Sequence, residues 1–336
     1  MGFFPAHQLL KNFSHFTIMK ITNLKFIFSL ISCLVFSACW SSDSKNSRSS
    51  NEKTTTSPTV SETNKNSIND SKNSNSADNK MSVTPTTQIK SGGYTANLPS
   101  GFSQPTDAVG QRILKEYGAL FIARGGATPP NTVIFKNEAE VSAYQSGLSK
   151  SSETLGSFNI ELQAAAMKAL KDAISEAKQS NLTITPRGAD SGKRDYSGTV
   201  ELWASRVNPG LTHWVSKGKL SESEATRIRA LSPFEQVPEI FKLESQGMFF
   251  SKDLSKSIVY SVAPPGTSQH LSMLALDVSE HDNAKVRDVL AKHGWYQTVV
   301  SDLPHFTFLG VSENQLSGLG LKKVSDGGRS FWLPSL

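Results

Sequence analysis

Cysteine is nearly absent from this chain: 336 residues hold two, Cys33 and Cys39, both near the N-terminus. Cys33 lies inside an apolar run and Cys39 at its end, so no pair of thiols remains downstream for a disulfide or a thiolate metal site. Any metal must then be held by His, Asp or Glu, and an exported domain must rest on its hydrophobic core. Long apolar runs are equally scarce. The stretch Phe26–Phe36 is shorter than a membrane-spanning helix needs, and no second one follows. Runs of basic residues interleaved with aromatics are missing, which argues against nucleic acid as a partner. There is no internal repeat. There is no excess of acid either: 35 Lys and Arg against 29 Asp and Glu leave a formal charge of +6. That balance suits a surface bearing anionic lipids or wall polymers, and simple solubility equally well.

What is present begins with a targeting segment. Basic Lys20 and Lys25, the apolar run, then Ser37-Ala38-Cys39 make the three regions of a secretory signal over residues 1–39. Small residues directly before a cysteine look like a bacterial lipoprotein cleavage box. This implies Cys39 as the lipidated first residue of the mature chain, anchored in the cell envelope on the extracytoplasmic or periplasmic side. The alternative is an ordinary cleaved signal with an incidental cysteine. Residues 40–93 are Ser, Asn, Thr and Lys with almost no large apolar side chains, and bury too little to offset the entropy of ordering. They read as a flexible tether of about 40 Å mean reach. About 240 residues follow, enough for one domain with a substantial core.

That part reads as α+β, an antiparallel sheet with helices on one face. Leu162, Ala166, Leu170, Ala173 and Ala177 recur at helical spacing and predict a helix over 159–179. Further helices are expected at 138–145 after Asn137, 196–207, 223–230 and, capped by Asp282, 283–292. Strands are expected at 119–123, 132–135, 182–185, 258–262, 274–278, 296–300 and 305–309. Trp203 and Trp295 are expected in the core and Trp214 on a cleft wall. His213, His281 and His293 lack spaced carboxylates and read as surface residues.

Two segments carry chemistry. In Ser268-Gln269-His270-Leu271-Ser272-Met273-Leu274-Ala275-Leu276-Asp277 a histidine and a carboxylate flank a short apolar strand, and Asp302-Leu303-Pro304-His305 adds another of each. Two imidazoles and two carboxylates supply what a catalytic zinc needs: three ligands, an open position and a nearby base. The ubiquitous His-Glu-x-x-His helix is lacking. If the strands are neighbours, His270, Asp277 and His305 converge at one sheet edge. Asp302, three residues before His305, would then face the open side and carry a proton from the attacking water to the leaving amine.

These residues resemble the zinc D-alanyl-D-alanine carboxypeptidases and dipeptidases, the VanY-like peptidases, whose fold is shared with the hedgehog signalling domain. The family pattern is Ser-x-His-x-x-Gly-x-Ala-x-Asp followed by Glu-x-x-His. Here Met273 stands at the glycine and Asp302 at the glutamate. The resemblance spans roughly Ile160 to Leu309 and implies a zinc D,D-carboxypeptidase acting on peptidoglycan stem peptides. It makes His270, Asp277 and His305 the Zn2+ ligands, Asp302 the base and Ser268 a substrate contact. Ser191-Gly192-Lys193-Arg194 is similar to the family's Ser-Gly-Tyr-Arg, which gives Arg194 the role of gripping the scissile carbonyl or the substrate. Arg187, in the same loop, is its rival. Residues 159–336 form the peptidase-like domain on this reading and 94–158 an extension of it. Two other functions remain open: a zinc-containing wall-binding module and an endopeptidase cutting cross-links.

Overall fold

Alternation along three short strands sets the architecture. In the computed structural model, which describes residues 89–336, β3 (Ala275–Asp277) and β4 (Trp295–Tyr296) flank β5 (His305–Phe308) in an antiparallel sheet of order β3-β5-β4. Leu276 sits opposite Phe306, Asp277 opposite His305 and Ala275 opposite Thr307. Successive side chains point to opposite faces. Leu276 and Phe306 therefore share one face with Leu274, Trp295 and Phe308, and that face packs on α4 (Ala164–Gln179) and α8 (Ala284–Lys292). Asp277, His305 and Thr307 occupy the other face. The mixed helix-and-sheet architecture with small antiparallel sheets is found, but helices are not confined to one face: residues of α2 (Ala108–Tyr117) and α5 (Tyr196–Ser216) also lie beside the polar one.

The remaining helices lie outside this sheet and its two covering helices. They are α1 (Gly93–Ala96), α2 (Ala108–Tyr117), α3 (Glu138–Ser146), α5 (Tyr196–Ser216), α6 (Glu222–Ala230), α7 (Pro233–Ser245) and α9 (Glu313–Leu316). Two hairpins, β1–β2 (Lys150–Leu155, Phe158–Gln163) and β6–β7 (Leu321–Asp326, Arg329–Pro334), complete the fold. A second core joins α2, α5, α6 and α7, with Trp203, Leu211, Ile240 and Phe250 at its centre. Among the described residues no helix is long and apolar enough to cross a membrane. The signal, Cys39 and the tether as far as residue 88 lie outside the described residues.

Several expected elements take another form. Residues 159–163 do not open a helix but form β2; Gly156, at φ 62°, makes the tight turn that pairs them with β1, and α4 starts at Ala164. Ala119–Ala123 and Ile258–Val262, expected as strands, fold as 3-10 turns at Gly118–Ile122 and Ile258–Tyr260. A short apolar run has no period that separates strand from buried helix. Residues 132–135 and 182–185 belong to no strand; isolated bridges form at Thr132 and Pro186. Asn283, rather than Asp282, caps α8. Helix α7 lies where no element is expected, and it contains Pro233 and Pro238. Pro233 occupies the first helical turn, where its missing N–H costs nothing, behind a Ser232/Glu235 capping box.

Glu244 of α7 holds the Ile258–Tyr260 turn in place. Its buried carboxylate accepts from the Ile258 N–H at 2.6 Å and from the Ser257 hydroxyl, with Arg112 3.6 Å away. Burial pushes this carboxyl above its usual range in spite of those partners. A carboxyl raised in the folded state binds its proton more tightly there, so its ionisation erodes stability as pH rises. Glu244→Gln does not titrate. Its stability relative to the wild type should therefore improve as pH rises from about 4.5 to 7, read from paired urea-unfolding curves. A relative stability that worsens over that interval would contradict the assignment.

Candidate metal centre

His270 is delivered by a tightly stitched turn. Pro264-Pro265-Gly266 reverses the chain, with Gly266 at φ +77°, its carbonyl accepting from Phe135 N at 2.9 Å and its N–H donating to Thr199 Oγ1 at 3.2 Å. Ser268 then leads into a 3-10 turn, Gln269–Ser272, which Met273 ends at φ 58° and ψ 28°. This is the position where the resembled family has glycine. Methionine adopts the left-handed backbone here, fully buried, at a cost of about 1–2 kcal/mol. Asp277 ends β3 and His305 opens β5, directly across the ladder from it.

The hydrogen bonds fix both imidazole tautomers. His270 Nδ1 lies 2.9 Å from the Gly192 carbonyl, which can only accept, so the proton is on Nδ1 and Nε2 presents its lone pair. His305 Nε2 lies 2.9 Å from Gln269 Oε1. That amide is oriented by its own Nε2, which donates to the Tyr117 carbonyl at 2.9 Å, so Oε1 is the acceptor and His305 Nδ1 is free. Both free nitrogens face one oxygen: His270 Nε2 and His305 Nδ1 are 3.4 and 3.2 Å from Asp277 Oδ1. The three donor atoms lie within 4.8 Å of one another, and no other such group of His, Cys, Asp or Glu occurs among the described residues. At zinc bond lengths of about 2.0–2.2 Å, neighbouring ligand atoms of a tetrahedron are roughly 3.3–3.6 Å apart. The two separations from Asp277 Oδ1 are close to that spacing, and the third pair of donors lies within 4.8 Å. Three lone-pair donors aimed at one point repel one another unless a cation or a proton lies between them, and the donor set itself suits zinc.

Burial opposes the Asp277 charge, but positive charge and hydrogen bonds from His270 and His305, with protons between the facing atoms where no cation lies, outweigh it and hold the carboxyl well below the usual carboxylate range.

The centre opens into a cleft of about 230 Å³, which Ser268, Arg194, Asp302, Tyr117, Tyr260 and Arg206 help to line. Asp302 is exposed there; its N–H donates to Val299 O and its carbonyl accepts from His305 N, each at 3.1 Å, so the turn sets its spacing from His305. Ser268 is buried and its hydroxyl makes no hydrogen bond among the described residues. Arg194 is anchored by its N–H to the His270 carbonyl at 3.3 Å, and its guanidinium lies 3.3 Å from Asp190. Arg187 is exposed and lies off the cleft; its N–H donates to the Asp277 carbonyl at 3.0 Å. Trp214, expected on the cleft wall, is instead buried in the helical core with its indole donating to Phe249 O at 3.0 Å. Trp203 and Trp295 are in the core as expected. His213, His281 and His293 are partly exposed and stand apart from the centre.

Sequence reasoning passed over Gln269 and Arg206. Gln269 adjoins His270, and a glutamine beside a ligand histidine is a signal for an outer hydrogen-bond partner. Arg206 gave none, because Ser261, which orients it, is 55 residues away.

No family model matches the sequence, and no curated protein does. Among solved structures the chain is similar to a mutant of the vancomycin-resistance D,D-pentapeptidase VanY, from a VanB-type resistance cassette, in complex with Zn(II). The two are 15% identical, the match covers 49% of this chain and 82% of that one, and the TM-score is 0.27.

Proposed function

We propose that the chain is a zinc metallopeptidase of the hedgehog/D,D-peptidase kind. On this reading it hydrolyses peptidoglycan stem peptides as a D-alanyl-D-alanine carboxypeptidase, held at the envelope membrane through Cys39. The observation that carries the proposal is the convergence of His270 Nε2, His305 Nδ1 and Asp277 Oδ1, with each imidazole's other nitrogen already committed to an acceptor. When bound there, zinc supplies Lewis acidity toward water and a carbonyl oxygen. The rest falls to the chain's own groups. The Asp302 carboxylate takes the proton of the attacking water and returns it to the leaving amine nitrogen. The Arg194 guanidinium, permanently charged and rich in donors, holds the carbonyl oxygen as negative charge develops on it. Ser268 offers its uncommitted hydroxyl to the peptide.

Purified protein should carry one zinc per chain and release D-alanine from a pentapeptide ending in D-Ala-D-Ala, with release lost on chelation and restored by zinc. Metal analysis together with chromatographic assay of free alanine tests this. Zinc bound without cleavage of any peptide bond would refute the enzyme, and products cut only inside cross-links would refute the carboxypeptidase.

A further inference from the structure

Arg206 differs from the other arginines of the fold that have side-chain partners; Arg187 is exposed, off the cleft, and has none among the described residues. Arg112, Arg194, Arg227, Arg229 and Arg329 each reach a carboxylate, and Arg124 and Arg287 donate to main-chain carbonyls. Arg206 is half-buried in the cleft and is held by hydroxyls alone. Nε donates to Ser261 Oγ at 2.8 Å and Nη1 to Ser205 Oγ at 2.9 Å. Among the described residues no carboxylate lies within ion-pair reach, and Nη2 has no acceptor.

Ser261 strengthens the point. Its oxygen accepts from Arg206 and also from Lys252 N, at 3.3 Å, while its own proton has no acceptor among the described residues. Two unspent donors, one of them cationic, thus share the cleft that holds the His270–Asp277–His305 centre. The other charges there do not neutralise Arg206: Asp277 is committed to the two imidazoles, and Asp302 forms no bond with Arg206. Beside Arg206 the wall is apolar. Leu202, one helical turn earlier on α5, and Tyr260 are 38% and 40% exposed, two of the four exposed large hydrophobics among the described residues, and both line this cleft.

We propose that Arg206 and Ser261 form a carboxylate receptor that determines specificity, with Leu202 and Tyr260 receiving the short aliphatic group beside that carboxylate. The inference rests on the peptidase reading for its substrate class and adds the group by which the substrate is chosen. A guanidinium and a hydroxyl together match the two oxygens of a carboxylate. That carboxylate can be the peptide's C-terminus or an acidic side chain within it, and the same receptor serves both.

The test measures binding in the zinc-loaded full chain bearing Asp302→Asn, so that no peptide is consumed. Three synthetic peptides of one length are titrated by calorimetry: one ending in D-Ala-D-Ala acid, its C-terminal amide, and that amide with a side-chain carboxylate. At least one carboxylate peptide should bind roughly 10- to 100-fold tighter than the uncharged amide, and which one does identifies the source. Adding Arg206→Gln should bring all three within about threefold, Arg206→Lys should keep part of the preference, and Ser261→Ala should weaken the carboxylate peptide several-fold. In the active enzyme Arg206→Gln should raise KM for the preferred peptide while kcat changes little. Equal binding of all three peptides, or a preference that survives Arg206→Gln in a protein with full zinc content, overturns the receptor. Should the wild type cleave no peptide bond yet show the Arg206-dependent preference, the peptidase reading fails and the receptor stands. Release of alanine with no preference for a carboxylate is the reverse case.

Discussion

Replacing His270 by alanine should lower zinc affinity by more than about a hundredfold and take peptide hydrolysis below detection, whereas Gln269→Leu should weaken zinc by roughly 10- to 100-fold and leave measurable turnover. The difference follows from what each residue does. Without His270, only Asp277 Oδ1 and His305 Nδ1 remain of the proposed ligands, and two donors hold zinc more poorly than three. Gln269 donates nothing to the metal position. It accepts the His305 Nε2 proton and so keeps the Nδ1 lone pair aimed at Asp277, while the Thr307 hydroxyl shares the same oxygen. Leucine removes that acceptor, and the ring can turn or change tautomer. Competition against a chromophoric chelator measures both affinities, and near-ultraviolet circular dichroism verifies the fold. A His270→Ala protein that binds zinc as tightly as the wild type would show that the metal is held elsewhere.

The grouping of His270, Asp277 and His305 was legible because Asp277 and His305 sit where local geometry and chemistry coincide. Asp277 ends a strand and His305 begins another, and antiparallel pairing sets them directly opposite. The polar and apolar alternation of Ala275-Leu276-Asp277 and His305-Phe306-Thr307 already states which side chains share a face. His270 was legible as a residue but not in its setting, since the turn that presents it depends on Phe135 and Thr199, far away in sequence. The same limit applies to Arg206 and Ser261. Their pairing is created by the packing of α5 against a 3-10 turn that the apolar run Ile258-Val259-Tyr260 gave no means of telling from a strand. Trp214 was misplaced for a related reason: an aromatic next to a histidine reads equally well as a cleft wall or as core, and only the Phe249 carbonyl, 35 residues on, decides.

Gly266→Ala should cost at least about 3 kcal/mol of stability, well beyond the 1–2 kcal/mol that a left-handed backbone alone imposes on an L-residue. A Cβ at this position would lie 1.8 Å from the Phe135 carbonyl oxygen, a distance no relaxation of a side chain can relieve because the obstacle is main chain. Nor can that main chain withdraw freely, for Phe135 N is bonded to the Gly266 carbonyl at 2.9 Å. Any shift that makes room must break this bond, or the one from Gly266 N to Thr199, and each leaves a buried polar group unpaired at about 1–3 kcal/mol. Gly247 provides the comparison: it has φ +82° but nothing within 4 Å of its would-be Cβ, so Gly247→Ala measures the backbone strain without the collision. Urea unfolding of the two variants, with unchanged m-values, separates the contributions. Equal costs would mean that the Pro264–Thr267 turn yields easily. A larger cost at Gly266, accompanied by weaker zinc binding, ties the rigidity of the turn to the position of His270 four residues later.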